Sequence, residues 1–126
     1  MESKFNAYIG IPYKNYGRNI NGCDCYGLTW LIQKEIYGKI LPSFSYYGNN
    51  IKNFFSSEKE YIPNERISNP KEGDIIAIYM YNSAHLGVMI NSKKFIHSGF
   101  REGDFSTIDR VNNPLYYKRI EGFYRV

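Results

Sequence analysis

At 126 residues the chain has the length of one domain with a buried core, and that single domain is expected to span residues 1–126. A hydrophobic share of 43% and an aromatic share of 17%, with 13 tyrosines, exclude a disordered chain. The net charge of +4 is scattered, with no basic run longer than Lys93-Lys94, so the clustered patch of a nucleic-acid binder is missing while an anionic polymer remains a compatible partner.

The N-terminus carries no signal-peptide pattern: Glu2 follows Met1, and no apolar stretch follows. Nor does any apolar run approach membrane-spanning length. The expectation is a chain made in the cytosol, with neither membrane nor nucleic acid as partner. "YIGIPY" (8–13) is a short apolar segment that Pro12 keeps from being helical. "KNYGRNINGC" (14–23) reads as loop. Leu28, Leu31, Ile32 and Ile36 then fall on one helical face, Asp24 suits an N-cap and Gly38 a stop. The spacing predicts a helix over 25–37. "YYGNNIKNFFSSEKE" (46–60) puts Ile51, Phe54 and Phe55 on one face and predicts a second, weaker helix.

"NPKEGD" (69–74) is a turn, after which the period changes. "DIIAIYMY", "AHLGVMIN", "KKFIHSG" and "YYKRIEGFYRV" are rich in β-branched and aromatic residues and predict four strands, with "NSKK" (91–94) as a hairpin-like turn. Helices first and strands after give an α+β fold with an antiparallel sheet.

"NGCDCYGLTW" (21–30) holds the chain's only two cysteines, Cys23 and Cys25. Cys25 falls in the first helical turn, where backbone N–H groups and the macrodipole favour a thiolate. The only histidines, His85 and His97, stand twelve residues apart on neighbouring predicted strands, close enough to share a face. A cysteine at a helix start, a base on the sheet and a second group to orient that base is the logic of an activated nucleophile. Cys23, Cys25, His85 and His97 are also a possible Cys2His2 zinc set. C-x-C is a less usual zinc spacing than C-x2-C, and a helix starting at Cys25 turns the thiols apart. A Cys23–Cys25 disulfide would close a very small, strained ring. Each cysteine also reads as a small buried hydrophobe, and each histidine as a structural residue. On the residues alone these readings stay open.

The motifs carry a family resemblance. "DCYGL" resembles the D-C-S-G-L motif of the NlpC family of papain-like cell-wall peptidases. "AHLGVMI" is similar to that family's H-V-G-I-Y strand and "KKFIHSG" to its F-I-H-A-S strand. "NPKEGDIIAIY" resembles L-x-P-G-D-L-V-F-F, "YIGIPY" resembles L-G-x-P-Y, and "YKRIEGFYRV" resembles the closing strand. The likeness runs over roughly residues 5–125, in the family's order.

The resemblance implies a papain-like fold and hydrolysis of peptidoglycan stem-peptide amides through a thiol, with no cofactor and no metal. It assigns Cys25 as nucleophile, His85 as general base and His97 as the group that orients it. Tyr13 then supports the oxyanion or the nucleophile, and Asp24 receives a free amine of the substrate. Cys23 matches no catalytic position. Tyr26 stands where the family usually has Ser; the expectation is that it narrows the substrate pocket, with burial in the core as the alternative. "DCYGL" is also similar to NlpC-type domains in bacteriophage tail proteins, which implies a virion tail or another wall-penetrating assembly, with hub or tip proteins as partners. Competing readings are a catalytically silent module of the same fold in such a hub, a related amidase of the CHAP type, and an acyltransferase of the lecithin–retinol type. The last puts His before Cys, against the order seen here.

Overall fold

The computed structural model describes residues 2–42, 64–81 and 83–126. The helix expected over 46–60 lies outside the described residues.

A 3-10 helix, Glu2–Tyr8, opens the chain. Arg18–Asn19 (β1) and Gly22–Cys23 (β2) then pair as a minimal antiparallel hairpin within the segment expected to be loop. The helix α1 runs Cys25–Tyr37, on the expected bounds. Asp24 caps its start by accepting the Gly27 N–H, and Gly38, in the left-handed conformation, returns its own N–H to the Gln33 and Lys34 carbonyls.

The rest is sheet. Its strands are Glu65–Ile67 (β3), Ile75–Met80 (β4), Ser83–Met89 (β5), Lys94–His97 (β6), Thr107–Arg110 (β7) and Ile120–Arg125 (β8). They lie in the order β3-β8-β4-β5-β6-β7, antiparallel throughout. Four of the six are the predicted ones. The last is shorter than expected, because Tyr117–Arg119 forms a 3-10 turn before it. β3 and β7 were not anticipated. The "EGD" turn is tied down by Asp74, whose carboxylate accepts the Lys71 N–H and a bidentate pair from Arg125 (2.8 and 2.9 Å).

Residues along β4 and β5 alternate between two buried faces. Leu86 and Val88 face α1, where Leu28, Leu31 and Ile32 meet Val88, Ile96 and the N-terminal Phe5 and Ile11. The opposite face packs Ile76, Ile78, Met89 and Phe95 under Tyr116. His85, Gly87 and His97 belong to that second face by alternation. No helix among the described residues is long and apolar enough to cross a membrane.

Candidate active site

The N-terminus of α1 meets the sheet where β4 turns into β5. Cys25 Sγ lies 3.9 Å from the Ala84 carbonyl, and His85 is the next residue along. A cavity of about 140 Å³ sits there, with Tyr13, Asp24, Cys25, Tyr81, His85 and Phe100 on its wall. Cys25 is the first residue of the helix, so its thiol stands at the positive end of the helix dipole.

His85 and His97 are both buried, at 4% and 2% exposure. The β5–β6 register sets Gly87, not His85, directly opposite His97. The two histidines are therefore diagonal neighbours on one face, and His85 Nε2 lies 2.8 Å from His97 Nδ1. The same step is repeated on the next strand. Asp109 of β7 is paired with Phe95, one diagonal from His97, and its Oδ2 lies 2.7 Å from His97 Nε2. Asn113 Nδ2 donates to the other Asp109 oxygen at 3.2 Å. Burial, and secondarily the neighbouring His97, hold the His85 pKa well below its ordinary 6.5.

Phe100 stacks on the His85 ring, 4.2 Å between centroids and 28° between planes, so one face of the imidazole is screened from water. Tyr81 meets Phe100 edge-on at 5.4 Å. Tyr81 takes a left-handed backbone (φ 53°) at the hairpin tip, a conformation that costs a non-glycine residue about 1 kcal/mol. Its side chain is three-quarters exposed at the cavity rim.

The other residues singled out from the sequence fall as follows. Tyr13 is on the cavity wall, and burial first, then the charges of Asp24, Cys25 and Tyr16, raise its pKa above the ordinary 10, so it stays a neutral phenol able to donate. Asp24 reaches the same wall but is buried, and both oxygens already hold bonds: Oδ1 from Gly27 N–H (2.7 Å) and Arg18 (3.3 Å), Oδ2 from Tyr16 N–H (2.8 Å). Tyr26 is not on the cavity wall. Its ring is fully buried beside Leu41, Ile75 and Leu86, and its hydroxyl donates to the Pro42 carbonyl. The physical reason is its helical position, which turns the side chain toward the sheet face under α1; packing is the alternative weighed above, and it describes this placement. Cys23 is likewise in the core, with Sγ donating to the Asn19 carbonyl at 3.2 Å, and burial above all pushes its pKa up to about 12. No disulfide joins Cys23 and Cys25.

Asp109 was missed by sequence reasoning. The one signal was arithmetic: it follows His97 by the same twelve residues that separate His97 from His85.

Comparison with known proteins bears on the family and the fold. The model of the NlpC/P60 family matches residues 10–125. The chain is 28% identical over 124 residues to the "Probable peptidoglycan endopeptidase LytE" of Bacillus subtilis (strain 168), covering 97% of this chain and 32% of that protein. It is 24% identical over 124 residues to the "Murein DD-endopeptidase MepS/Murein LD-carboxypeptidase" of Escherichia coli (strain K12), covering 98% of this chain and 60% of that one. The chain thus spans less than two thirds of the length of either relative. Among solved structures, the NlpC/p60 domain of the peptidoglycan hydrolase SagA superposes with a TM-score of 0.68 at 18% identity, covering 98% of this chain and 94% of that one. An NlpC/P60 family protein from Bacillus cereus ATCC 10987 gives 0.63 at 24% identity, covering 94% and 36%. These two carry the fold, helix on antiparallel sheet, and the family match carries the membership: the chain belongs to the NlpC/P60 family.

Proposed function

We propose that the chain is a cysteine peptidase that hydrolyses amide bonds in peptidoglycan stem peptides. The observation that carries this reading is the pairing, across one cavity, of a thiol at a helix N-terminus with a buried imidazole whose far nitrogen is held by a second imidazole. The names of the two curated relatives supply the substrate class.

The reaction is thiol acyl transfer. His85 uses Nδ1, the nitrogen not engaged by His97, to take the Cys25 proton. The thiolate adds to the amide carbonyl, and the negative charge that develops on oxygen meets the Cys25 backbone N–H and the Tyr13 hydroxyl. One such donor is worth about 3 kcal/mol in the transition state. The C–N bond breaks as His85 returns its proton to the leaving amine. Water, deprotonated by the same nitrogen, then cleaves the thioester and regenerates the thiol. The steps draw on the Cys25, His85 and Tyr13 side chains, one backbone N–H and one water.

The test is digestion of purified sacculi followed by mass spectrometry of the released muropeptides, with Cys25→Ala as control. New amine and carboxyl ends with wild type only are the expected result. Sacculi untouched by wild type would leave the fold as a silent module. The setting we infer, a bacteriophage tail or related wall-penetrating assembly with hub or tip proteins as partners, rests on the "DCYGL" stretch. Tail genes on both sides of the coding sequence are the expected neighbourhood; housekeeping wall genes there would remove that setting.

A further inference from the structure

We infer that Asp109 is a positioning residue for the thiol chemistry: acting through His97, its carboxylate fixes which nitrogen of His85 carries a proton and supports the imidazolium that forms beside the thiolate. The inference rests on the acyl-transfer reading of the site and adds a fourth member to it.

The argument is one of donors and acceptors. An ionised carboxylate only accepts, so the 2.7 Å contact makes His97 Nε2 the protonated nitrogen. A neutral His97 then has a lone pair on Nδ1. The 2.8 Å contact to His85 Nε2 therefore requires the proton on His85. That leaves His85 Nδ1 as the basic nitrogen, and Nδ1 is the one not used within the relay. A carboxylate two residues removed thus chooses the tautomer of the base. Without it, His97 is as well served with its proton on Nδ1, which would push the His85 proton onto Nδ1 and leave Cys25 no base.

The second effect is electrostatic. His85 is buried and stacked under Phe100, an environment that disfavours its charged form. When it takes the thiol proton, both imidazole N–H groups donate along the chain, His85 to His97 to Asp109, and the positive charge is answered by a fixed negative one. The relay ends in an open groove separate from the catalytic cavity, lined by Lys94, Asp109, Arg110 and Asn113 among others. The groups facing the carboxylate are His97 from β6, Asn113 from the following turn and Tyr116 beyond it, with Lys94 and Arg110 on the same groove.

The experiment has a readout that needs no substrate. In wild type, 15N spectra of a histidine-labelled sample contain only two imidazoles. At about pH 7.5 both are expected to be protonated at Nε2, by the tautomer argument above. A His85 protonated at Nδ1 overturns the inference, whatever the variants do. Next, the rate of Cys25 alkylation by iodoacetamide is taken at about pH 6, where only an ion pair supplies thiolate, and at about pH 10, where any thiol does. Asp109→Asn is expected to lower the ratio of the two rates about tenfold, and kcat on sacculi by a similar factor with KM unchanged. Asp109→Glu should restore part of the ratio. A ratio unchanged in Asp109→Asn with the wild-type tautomers intact overturns the inference. Expected tautomers and ratios in a protein that leaves sacculi untouched would instead sink the peptidase reading and leave the relay standing.

Discussion

Gly87 stands directly opposite His97 across the β5–β6 pair, and a Cβ built on it would come within 2.9 Å of the Ile96 carbonyl and 3.2 Å of the His97 Cβ. The missing side chain is what lets two imidazoles approach along the diagonal. Gly87→Ala should therefore lower stability by about 1–3 kcal/mol and displace the His85–His97 contact. Urea unfolding and turnover measured together check it: equal turnover in a destabilised protein would mean that the pair tolerates the shift.

The two thiols are expected to differ in reactivity by their surroundings. Cys25 opens on the cavity, whereas Cys23 is buried with its pKa pushed up to about 12. Iodoacetamide at mildly acidic pH should modify Cys25 first. Both lie on one tryptic peptide, residues 19–34, so fragment masses must assign the label. Preferential labelling of Cys23 would reverse the roles.

In the proposed reaction His85 moves the protons, so His85→Ala should cost about a thousandfold or more in kcat. His97→Asn keeps a hydrogen-bonding group beside Nε2 of the base and should retain measurable activity. Equal loss in the two variants would show that His97 does more than orient.

Burial, with His97 beside it, depresses the His85 pKa, so between the folded value and 6.5 the unfolded chain binds more protons than the folded one. The resulting stability is present above 6.5 and is lost as pH falls through the folded value. The clean measurement is in Cys25→Ala, where no thiolate can hold an imidazolium. Its unfolding free energy should drop on acidification below 6.5, and His85→Asn in the same background should flatten that part of the curve. Parallel curves would mean that another group carries the pH dependence.

Tyr26→Ser deletes a fully buried ring and its bond to Pro42. A loss of about 3 kcal/mol is expected from the cavity left behind. The ranking of stem-peptide substrates should stay as in wild type. A changed ranking would return Tyr26 to the pocket.

The parts legible in the sequence were those encoded locally. Asp24, the apolar spacing from Leu28 to Ile36, and Gly38 fix α1 through contacts within a few residues. The strands β4 and β5 announce themselves by near-continuous apolar runs because both their faces are buried. The strand β7, "TIDR", has neither cue: it is short, half-exposed and edge-lying, and only its pairing with β6 makes it a strand. Asp109 is invisible for the same reason, since its meaning depends on a register between strands. Tyr26 shows the opposite limit. Its place beside the nucleophile in sequence suggested a place beside it in space, but adjacent helical residues point about 100° apart.

Cys23 and Cys25, one residue apart, also settle how the chain meets an oxidant. The buried thiol donates to Asn19 in the core while the other lines the cavity, so neither is presented to the other. A sulfenic acid formed at Cys25 meets no second cysteine on the cavity wall, so the thiol that condenses with it comes from solution. Oxidative inactivation should then be reversible by mixed-disulfide exchange while exposure is brief, and permanent once oxidation has run further. A chain with two neighbouring cysteines is thus expected to respond to peroxide as though it had one.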